Sequence, residues 1–277
     1  MRFISENPFW NHHKESFRES VPSTILFVTA FKDIGRGYWK SSSRSVDQYI
    51  HWFLSLASRI TYPLVVYIEP VIKSQLPLST ISPTVSFVDL NEVDCFLNRY
   101  SHREKEIILH PSFQKHIPPE RKELPETNIP EYNLINHSKI NFVRDASDRF
   151  PQYDYYSWVD FGMFRDIEMI PKALKIESFP TNTFIFHCLS QPEGRISEWD
   201  MLKTNRVFIT GSTFILQKEN IKEYESLYDT KLKEWQKKGI SDDDQSLILQ
   251  LWFDQPSRFK LYESKDWFSL FHLVPHD

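Results

Sequence analysis

Asp160 is the acidic residue whose setting in this chain most strongly suggests chemistry. It follows residues 155–159, Tyr-Tyr-Ser-Trp-Val, which are typical of a buried strand, and it precedes Phe161 and Gly162. Burying a lone carboxylate is costly unless a cation or hydrogen-bond donors meet it. At the end of a strand in an α/β protein, such a carboxylate can help to hold a metal ion or a phosphate. The simpler alternative is that Asp160 caps the turn after the strand.

Three consecutive aspartates at residues 242–244 precede Gln245 and an apolar stretch that predicts a helix over residues 245–253. Capping and the helix macrodipole favour acidic residues at a helix N-terminus, which explains one or two of the three. A third like charge in a row is repulsive and needs another reason. We therefore expect one carboxylate to act as a general base or to stabilise a developing cation, with Asp244 as first choice and Asp243 as second.

The end of the first predicted strand is a second candidate region. It comprises Thr29, Ala30 and Phe31 and leads into a polar loop with Arg36. Ligands of open parallel sheets bind outside the carboxyl ends of the strands. Phe31 could stack on a base there, and Arg36 could pair with a phosphate. The alternative is an ordinary loop with a solvated arginine.

Polar residues further along the chain could complete such a site. Asn136 and Lys139 are three positions apart in a predicted helix, so they would share a face that could meet a diphosphate or simply face solvent. Gly211 predicts a bulge or bend, and it would also permit close approach of the backbone to a sugar ring. Near the C-terminus, His272 or His276 could join Asp160 in a divalent-metal site completed by phosphates and water.

The elements that would position these residues alternate between strand and helix. Strands are predicted over residues 24–30, 64–68, 85–88, 155–159, 183–189 and 259–262, and helices over 45–59, 131–150, 218–238 and 245–253. Residues 207–216 predict two strands separated by a tight turn, and the proline-rich residues 101–130 predict short helices and loops. The pattern indicates one α/β domain with a mixed, mostly parallel sheet flanked by helices.

Composition narrows the class of protein. Hydrophobic residues make up 40% of the chain and aromatic residues 15%, which is enough for a sizeable core. The net charge of −4 and the scattered lysines and arginines disfavour nucleic acid as a partner. Two cysteines imply no disulfide framework. Residues 1–17 lack an apolar signal core, and no apolar run is long enough to span a bilayer, so a soluble cytoplasmic protein is expected.

Four stretches of the chain together resemble the HtrL/YibB-like family of candidate bacterial and viral glycosyltransferases. They are residues 29–36, TAFKDIGR; 156–162, YSWVDFG; 209–214, ITGSTF; and 243–246, DDQS, in the order found in the family. The stretches are also similar to those of viral members that transfer xylose. If the protein is viral, the expected location is the cytoplasm of the host.

This resemblance implies a single GT-A-like domain over residues 1–277, with a nucleotide-binding half at about 20–162 and an acceptor-binding half at about 163–277. Such enzymes hold the donor diphosphate through a divalent metal, usually Mn²⁺ and alternatively Mg²⁺, bound by an Asp-any-Asp motif. Asp160 matches the first aspartate and Gly162 stands in place of the second, which implies either that no metal binds or that the second metal ligand is His272. Asp244 and Gln245 are similar to the Asp-Gln pair that faces the sugar in glycogenin-like relatives.

The expected function is transfer of a sugar from a UDP-sugar to a hydroxyl of an acceptor glycan, with inversion. The expected donor-binding residues are Thr29, Ala30, Phe31, Arg36, Asn136, Lys139, Asp160, Phe161, Gly162 and Gly211, and the expected catalytic residues are Asp244, Asp243 and Gln245. Two alternatives remain open. One is a nucleotide-sugar-binding or glycan-binding protein without turnover. The other is a metal-dependent nuclease or phosphatase that uses Asp160 with the 242–244 cluster, which would require two metals.

Overall fold

A computed structural model describes residues 24–39, 43–58, 62–163, 165, 179–204, 206–263 and 267. The strands in these ranges are β1 (Ile25–Phe31), β2 (Leu64–Ile68), β3 (Val85–Asp89), β4 (Tyr155–Val159), β5 (Phe184–Cys188), β6 (Ile209–Gln217) and β7 (Phe259–Glu263). The α-helices are α1 (Val46–Ala57), α2 (Pro70–Lys73), α3 (Phe96–Leu109), α4 (Pro111–His116), α5 (Pro125–Asn128), α6 (Pro130–His137), α7 (Lys139–Arg149), α8 (Glu198–Met201), α9 (Ile221–Lys238) and α10 (Asp244–Asp254).

The seven strands form one sheet in the order β3-β2-β1-β4-β6-β5-β7. The pairs β3–β2, β2–β1, β1–β4 and β5–β7 are parallel, whereas β6 runs antiparallel to both of its neighbours. The predicted α/β class with a mixed, mostly parallel sheet flanked by helices is therefore confirmed.

Strand β1 lies at the point where the direction of the chain across the sheet reverses. The chain passes from β1 to β2 on one side, while β4 pairs with β1 on the other side, with Val28 opposite Trp158. In open α/β sheets the crevice at such a switch point, beyond the carboxyl ends of the strands, is the usual place for a ligand. The segments that follow β1 and β4 are therefore placed to form a site.

Both faces of the sheet are covered by apolar side chains. Alternate residues of β1 point to opposite faces, so Phe27 joins a cluster with Phe53 of α1, whereas Val28 joins a larger cluster beneath α7, α9 and α10. Continuous burial along β1, β2 and β4 follows from this double covering, because neither face meets water.

Helix ends follow the local sequence. Ser45 and Gln48 form a reciprocal capping box that begins α1. Gly239 caps the C-terminus of α9, since it adopts a left-handed φ of 71° that favours glycine. Asp243 caps α10 by accepting a hydrogen bond from the backbone of Gln245. No helix in the described ranges is long and apolar enough to cross a membrane.

Three predictions of secondary structure need correction. Residues 96–109 form one regular helix, α3, because the prolines of this region come later in the chain. Those prolines begin α4, α5 and α6, where the first residue of a helix needs no N–H for a helical hydrogen bond. The helix predicted over residues 131–150 is two helices, because the hydroxyl and the backbone N–H of Ser138 both donate to the carbonyl of Leu134 and bend the chain. Residues 209–217 form one strand, β6, and not two, but the pairing of β6 with β5 shifts register between Ile209 and Phe214, which agrees with the bulge predicted at Gly211.

Candidate functional site

A cavity of about 540 Å³ opens at the carboxyl ends of β1 and β4, a volume typical of small-molecule sites. Its wall is built by the loop after β1, the helices α1, α6 and α7, and the segment after β4. The predicted site residues in this wall are Ala30, Phe31, Arg36, Asn136, Lys139, Asp160, Phe161, Gly162 and Gln245. Asn136 and Lys139 belong to different helices, contrary to prediction, yet both reach the cavity.

Lys139 is the central cation of this site. Its Nζ lies 3.1 Å from Oδ1 of Asp160 and 2.8 Å from Oδ2 of Asp244, and it donates to the carbonyl of Gly211 at 2.9 Å. Burial alone would lower the pKa of Lys139, but the charges and hydrogen bonds of the two aspartates outweigh it and raise the pKa above its ordinary value. Lys139 is therefore a permanently charged ammonium group.

Asp160 is the carboxylate that remains open to the cavity, with 39% of its side chain exposed. Its Oδ1 accepts a hydrogen bond from Nε1 of Trp158 at 2.8 Å and also meets Lys139. Because these contacts both use Oδ1, the carboxylate is fixed in orientation while Oδ2 stays available to a ligand. Asp160 thus meets the donors and the cation that a carboxylate at a strand end requires.

Gly162 leaves room for the ring of Tyr49. A Cβ atom at residue 162 would lie 2.5 Å from Cε1 of Tyr49, so any larger residue would have to displace the ring. The Tyr49 hydroxyl accepts a hydrogen bond from Arg36 at 2.7 Å. The second carboxylate of the Asp-any-Asp pattern is therefore replaced by an aromatic ring and an arginine.

A divalent metal would find one protein ligand among the described residues. They contain no group of three or more His, Cys, Asp or Glu side chains arranged to hold a metal ion. Asp160 supplies a single carboxylate, and His272 lies outside the described residues. Mg²⁺-type sites in nucleotide enzymes often use one or two carboxylates together with substrate phosphates and water. The fit is thus to a cation held jointly by Asp160 and a phosphorylated ligand.

Asp244 lies beneath the cavity, outside its wall. A Cβ atom at Gly211 would overlap with the Asp244 carboxylate, so the close approach permitted by this glycine is to Asp244. Burial raises the pKa of Asp244, and the nearby charge of Lys139 opposes that increase. Its position suits the support of Lys139 better than contact with a substrate.

A second cavity of about 180 Å³ adjoins the first and shares Tyr132, Gln245 and Trp267 with it. Asp243 lies in its wall. Burial raises the pKa of Asp243 well above its ordinary value, and the charges of Asp242, Asp244 and Glu126 add to the effect. Asp243 is therefore a carboxylate with a raised affinity for a proton, and it lies in the wall of an open space.

Gln245 stands between the two cavities. Its Oε1 is buried and has no hydrogen-bond partner within the described part of the protein. A buried acceptor without a partner costs free energy that a bound hydroxyl or water would recover. This amide is therefore suited to contact a polar ligand that extends from one cavity into the other.

Other predicted residues lie elsewhere or serve partly structural roles. Thr29 is fully buried inside the sheet, and Gly211 lies in the wall of neither cavity. The Phe161 ring stacks on Phe31 with centroids 4.7 Å apart and on Phe53 at 4.5 Å, which joins the loops after β1 and β4 to α1. Phe31 consequently has only 8% exposure to solvent.

Several residues in the two walls were not predicted from the sequence. They are Arg44, Tyr49 and Arg165 in the first cavity, Arg121 and Glu126 in the second, and Tyr132 and Trp267 in both. The position of Arg165 close after Asp160 was a usable signal. Arg121 gave no signal, because its ion pair with Asp242, at 3.1 Å, joins residues that are far apart in sequence.

The fold and the cavity define an α/β protein with a cavity at the carboxyl-end edge of its sheet. The model of the HtrL_YibB family, described as bacterial proteins of unknown function, matches residues 23–275, so this chain belongs to that family. This confirms the resemblance seen in the sequence motifs. Protein HtrL of Escherichia coli (strain K12) is 27% identical over 268 residues, which cover 91% of this chain and 92% of the relative.

Two solved structures align along most of the chain at low similarity. A glycosyltransferase involved in the glycosylation of the major capsid of PBCV-1 has a TM-score of 0.39 and 9% identity, over 87% of this chain and 81% of its own. The 4-diphosphocytidyl-2C-methyl-D-erythritol synthase from Anaerococcus prevotii DSM 20548 has a TM-score of 0.40 and 10% identity, over 90% and 91%.

Proposed function

We propose that this protein is a GT-A-like glycosyltransferase that moves a sugar from a UDP-sugar to a hydroxyl of an acceptor glycan. The observation that supports this most directly is the cavity at the switch point between β1 and β4. Nucleotides bind at such points in open α/β sheets. The cationic side chains of its wall match a diphosphate, and the adjoining second cavity offers space for an acceptor.

The donor would occupy the larger cavity. Arg36 lies in its wall, and Asp160 would help to hold a divalent cation, Mn²⁺ or Mg²⁺, together with the diphosphate oxygens, with His272 as the proposed second ligand. Such a cation would supply positive charge to the leaving diphosphate. Lys139 would orient Asp160 for this task, because the ammonium group is held on its other side by Asp244.

The acceptor would enter through the smaller cavity. Asp243 faces it, so we assign the proton of the acceptor hydroxyl to Asp243 rather than to Asp244, which lies in neither wall. A raised pKa makes a carboxylate a stronger base nearer to neutral pH. Gln245 would bind a sugar hydroxyl through its unpartnered Oε1. A base on the acceptor side suits an inverting reaction, and the resemblance to viral relatives makes xylose the first sugar to test.

A donor screen tests this proposal. Purified protein is incubated with UDP-xylose and other UDP-sugars, with Mn²⁺ or with EDTA, in the presence of candidate acceptor glycans, and released UDP is measured. Thermal shift with a panel of nucleotides runs in parallel, because a ligand that binds the native state raises its melting temperature. Selective stabilisation by UDP and release of UDP from at least one UDP-sugar are expected.

Other results of this screen would support one of the two alternative functions. Stabilisation by UDP without release of UDP from any donor would indicate a nucleotide-sugar-binding protein, an alternative that Gly162 in place of a second aspartate favours. Cleavage of a phosphodiester in the absence of any donor would indicate a nuclease or phosphatase. The ion pairs of Asp242 with Arg121 and of Asp244 with Lys139 argue against that activity. No response to any nucleotide would overturn the proposal.

A further inference from the structure

The wall of the larger cavity contains two arginines whose charge is neutralised by no carboxylate of the described residues. Among the cations of this wall, Lys32 pairs with Glu69 at 2.7 Å, and Lys139 is held by two aspartates. By contrast, no carboxylate of the described residues lies within ion-pair distance of Arg44 or Arg165. Unpaired guanidinium groups gathered in a cavity are suited to bind an anion.

Both of these arginines are placed by the same aromatic side chain. The guanidinium carbon of Arg44 lies 5.9 Å from the centroid of the Trp52 ring, and that of Arg165 lies 5.1 Å from it. Cation–π contact positions each guanidinium over the indole without using its N–H groups as hydrogen-bond donors. Burial lowers the pKa of Arg165, and the positive charge of Arg44 adds to the effect. An anion between them would relieve this repulsion.

Gly162 links this pair to the candidate donor site. Nε of Arg165 donates to the carbonyl of Gly162 at 3.4 Å, two residues after Asp160. The Tyr49 ring, which fills the space beside Gly162, contacts Trp52 edge-on with centroids 5.5 Å apart. A carboxylate at residue 162 would displace this ring, so the glycine and the aromatic support of the arginines belong to one arrangement.

We infer that Arg44 and Arg165, supported by Trp52, form a subsite for a diphosphate group. The inference rests on the proposed function, because it assigns the diphosphate to the donor nucleotide. A diphosphate diester carries two negative charges, one for each guanidinium, and each guanidinium can bind phosphate oxygens with two parallel hydrogen bonds. These side chains thus provide positive charge at the place where the family pattern has a second carboxylate for a metal.

Calorimetric titration of three probes, UDP, uridine and inorganic pyrophosphate, tests this subsite in EDTA and in Mn²⁺. The variants are Arg44→Gln, Arg165→Gln and the double variant. Lys73→Gln is the matched control, because Lys73 also lies over an aromatic ring, that of Phe87 at 5.3 Å, but outside the cavity wall. Each arginine variant is expected to weaken UDP binding about tenfold, as the loss of a charge-assisted hydrogen bond would. Uridine binding should be unchanged, and Arg165→Lys should be intermediate.

The outcomes separate this inference from the function on which it rests. UDP binding that persists at wild-type strength in the double variant overturns the subsite and leaves the proposed function standing. An equal loss of UDP and uridine binding also overturns the subsite, because it would indicate that the substitutions alter the fold. If the wild type binds neither UDP nor uridine, the proposed function fails, and the titration with pyrophosphate alone then tests the subsite. Pyrophosphate binding by the wild type that is lost in the double variant would support the subsite. A wild-type protein that does not bind pyrophosphate either would overturn it.

Discussion

Lys139 and Asp244 form a buried ion pair, with Nζ of the lysine 2.8 Å from Oδ2 of the aspartate. Lys139 begins α7 and Asp244 begins α10, so the pair joins two helix ends that are far apart in sequence. The side chains are only 7% and 3% exposed. Because Asp160 contacts the same ammonium group, one cation holds both the buried Asp244 and the Asp160 carboxylate of the cavity wall.

Removal of that cation should strongly destabilise the fold. Lys139→Met leaves Asp244 as a buried charge without its partner, which typically costs about 3–5 kcal/mol. Asp160→Asn is the control, since this half-exposed side chain should contribute less than about 1 kcal/mol. Urea unfolding monitored by circular dichroism measures both variants. Equal losses of unfolding free energy in the two variants would show that the buried Lys139–Asp244 pair stabilises the protein no more than the half-exposed Asp160 does.

Gly211 should tolerate no side chain. In Gly211→Ala the new methyl group would overlap with the Asp244 carboxylate, and overpacking of this kind costs about 1–3 kcal/mol. Gly194→Ala is the matched control, because a methyl group there meets nothing within 4 Å, and its effect should stay within about 0.5 kcal/mol. Thermal unfolding compares the two. A Gly211→Ala protein as stable as the control would contradict the close approach.

Asp243→Asn should stabilise the protein at neutral pH. The pKa of Asp243 is raised, so the native state holds a proton that the unfolded chain loses near pH 4. The stability linked to this group is complete below about pH 4 and declines as the pH rises through the native pKa. Asparagine removes the charge and remains a good N-cap. We expect a gain of about 0.5–2 kcal/mol at pH 7 and almost none at pH 4. A pH-independent gain would exclude relief of charge repulsion as its cause.

The same substitution should impair transfer if Asp243 is the base. Loss of a general base lowers kcat by about 10²–10⁴-fold, while donor affinity should remain unchanged. Asp244→Asn changes a carboxylate that lies outside both walls, so its effect should appear mainly as weaker donor binding through Lys139. Steady-state release of UDP with titration of the donor distinguishes the two. A larger fall in kcat for Asp244→Asn would assign the base to Asp244.

His137 should make the protein sensitive to acid. Burial lowers the pKa of His137 to about 3, so the native imidazole stays neutral while the unfolded chain takes up a proton near pH 6.5. Its contribution to stability is complete above about pH 6.5 and declines by ~1.4 kcal/mol per pH unit as the pH falls toward 3. His137→Gln should flatten this slope, whereas His102→Gln, at a side chain that is 91% exposed, should not. The measurement is urea unfolding at several pH values.

The fold was largely accessible from the sequence because its strands are short, apolar and bounded by polar or proline residues. Strands β2 and β4 occupy the predicted residues 64–68 and 155–159. The split between α6 and α7 was missed because a single hydroxyl, that of Ser138, causes it through contacts that periodicity does not reveal.

The candidate site was only partly accessible. Asp160, Lys139 and Gln245 were found because each lies at a strand end or helix start that sequence patterns indicate. The different roles of Asp243 and Asp244 could not be predicted, since Asp243 lies in a cavity wall and its neighbour Asp244 lies in neither wall. Arg44 and Trp52 were missed because their relation to Arg165 is purely spatial.

The stack of Phe31, Phe161 and Phe53 has a consequence for how a ligand associates. It holds the ends of β1 and β4 together before any ligand arrives, since Phe31 ends β1, Phe161 follows β4 and Phe53 belongs to α1. The conformational entropy of these segments is therefore lost during folding and not during binding. A preorganised wall of this kind favours fast association, because encounter need not wait for the backbone to rearrange.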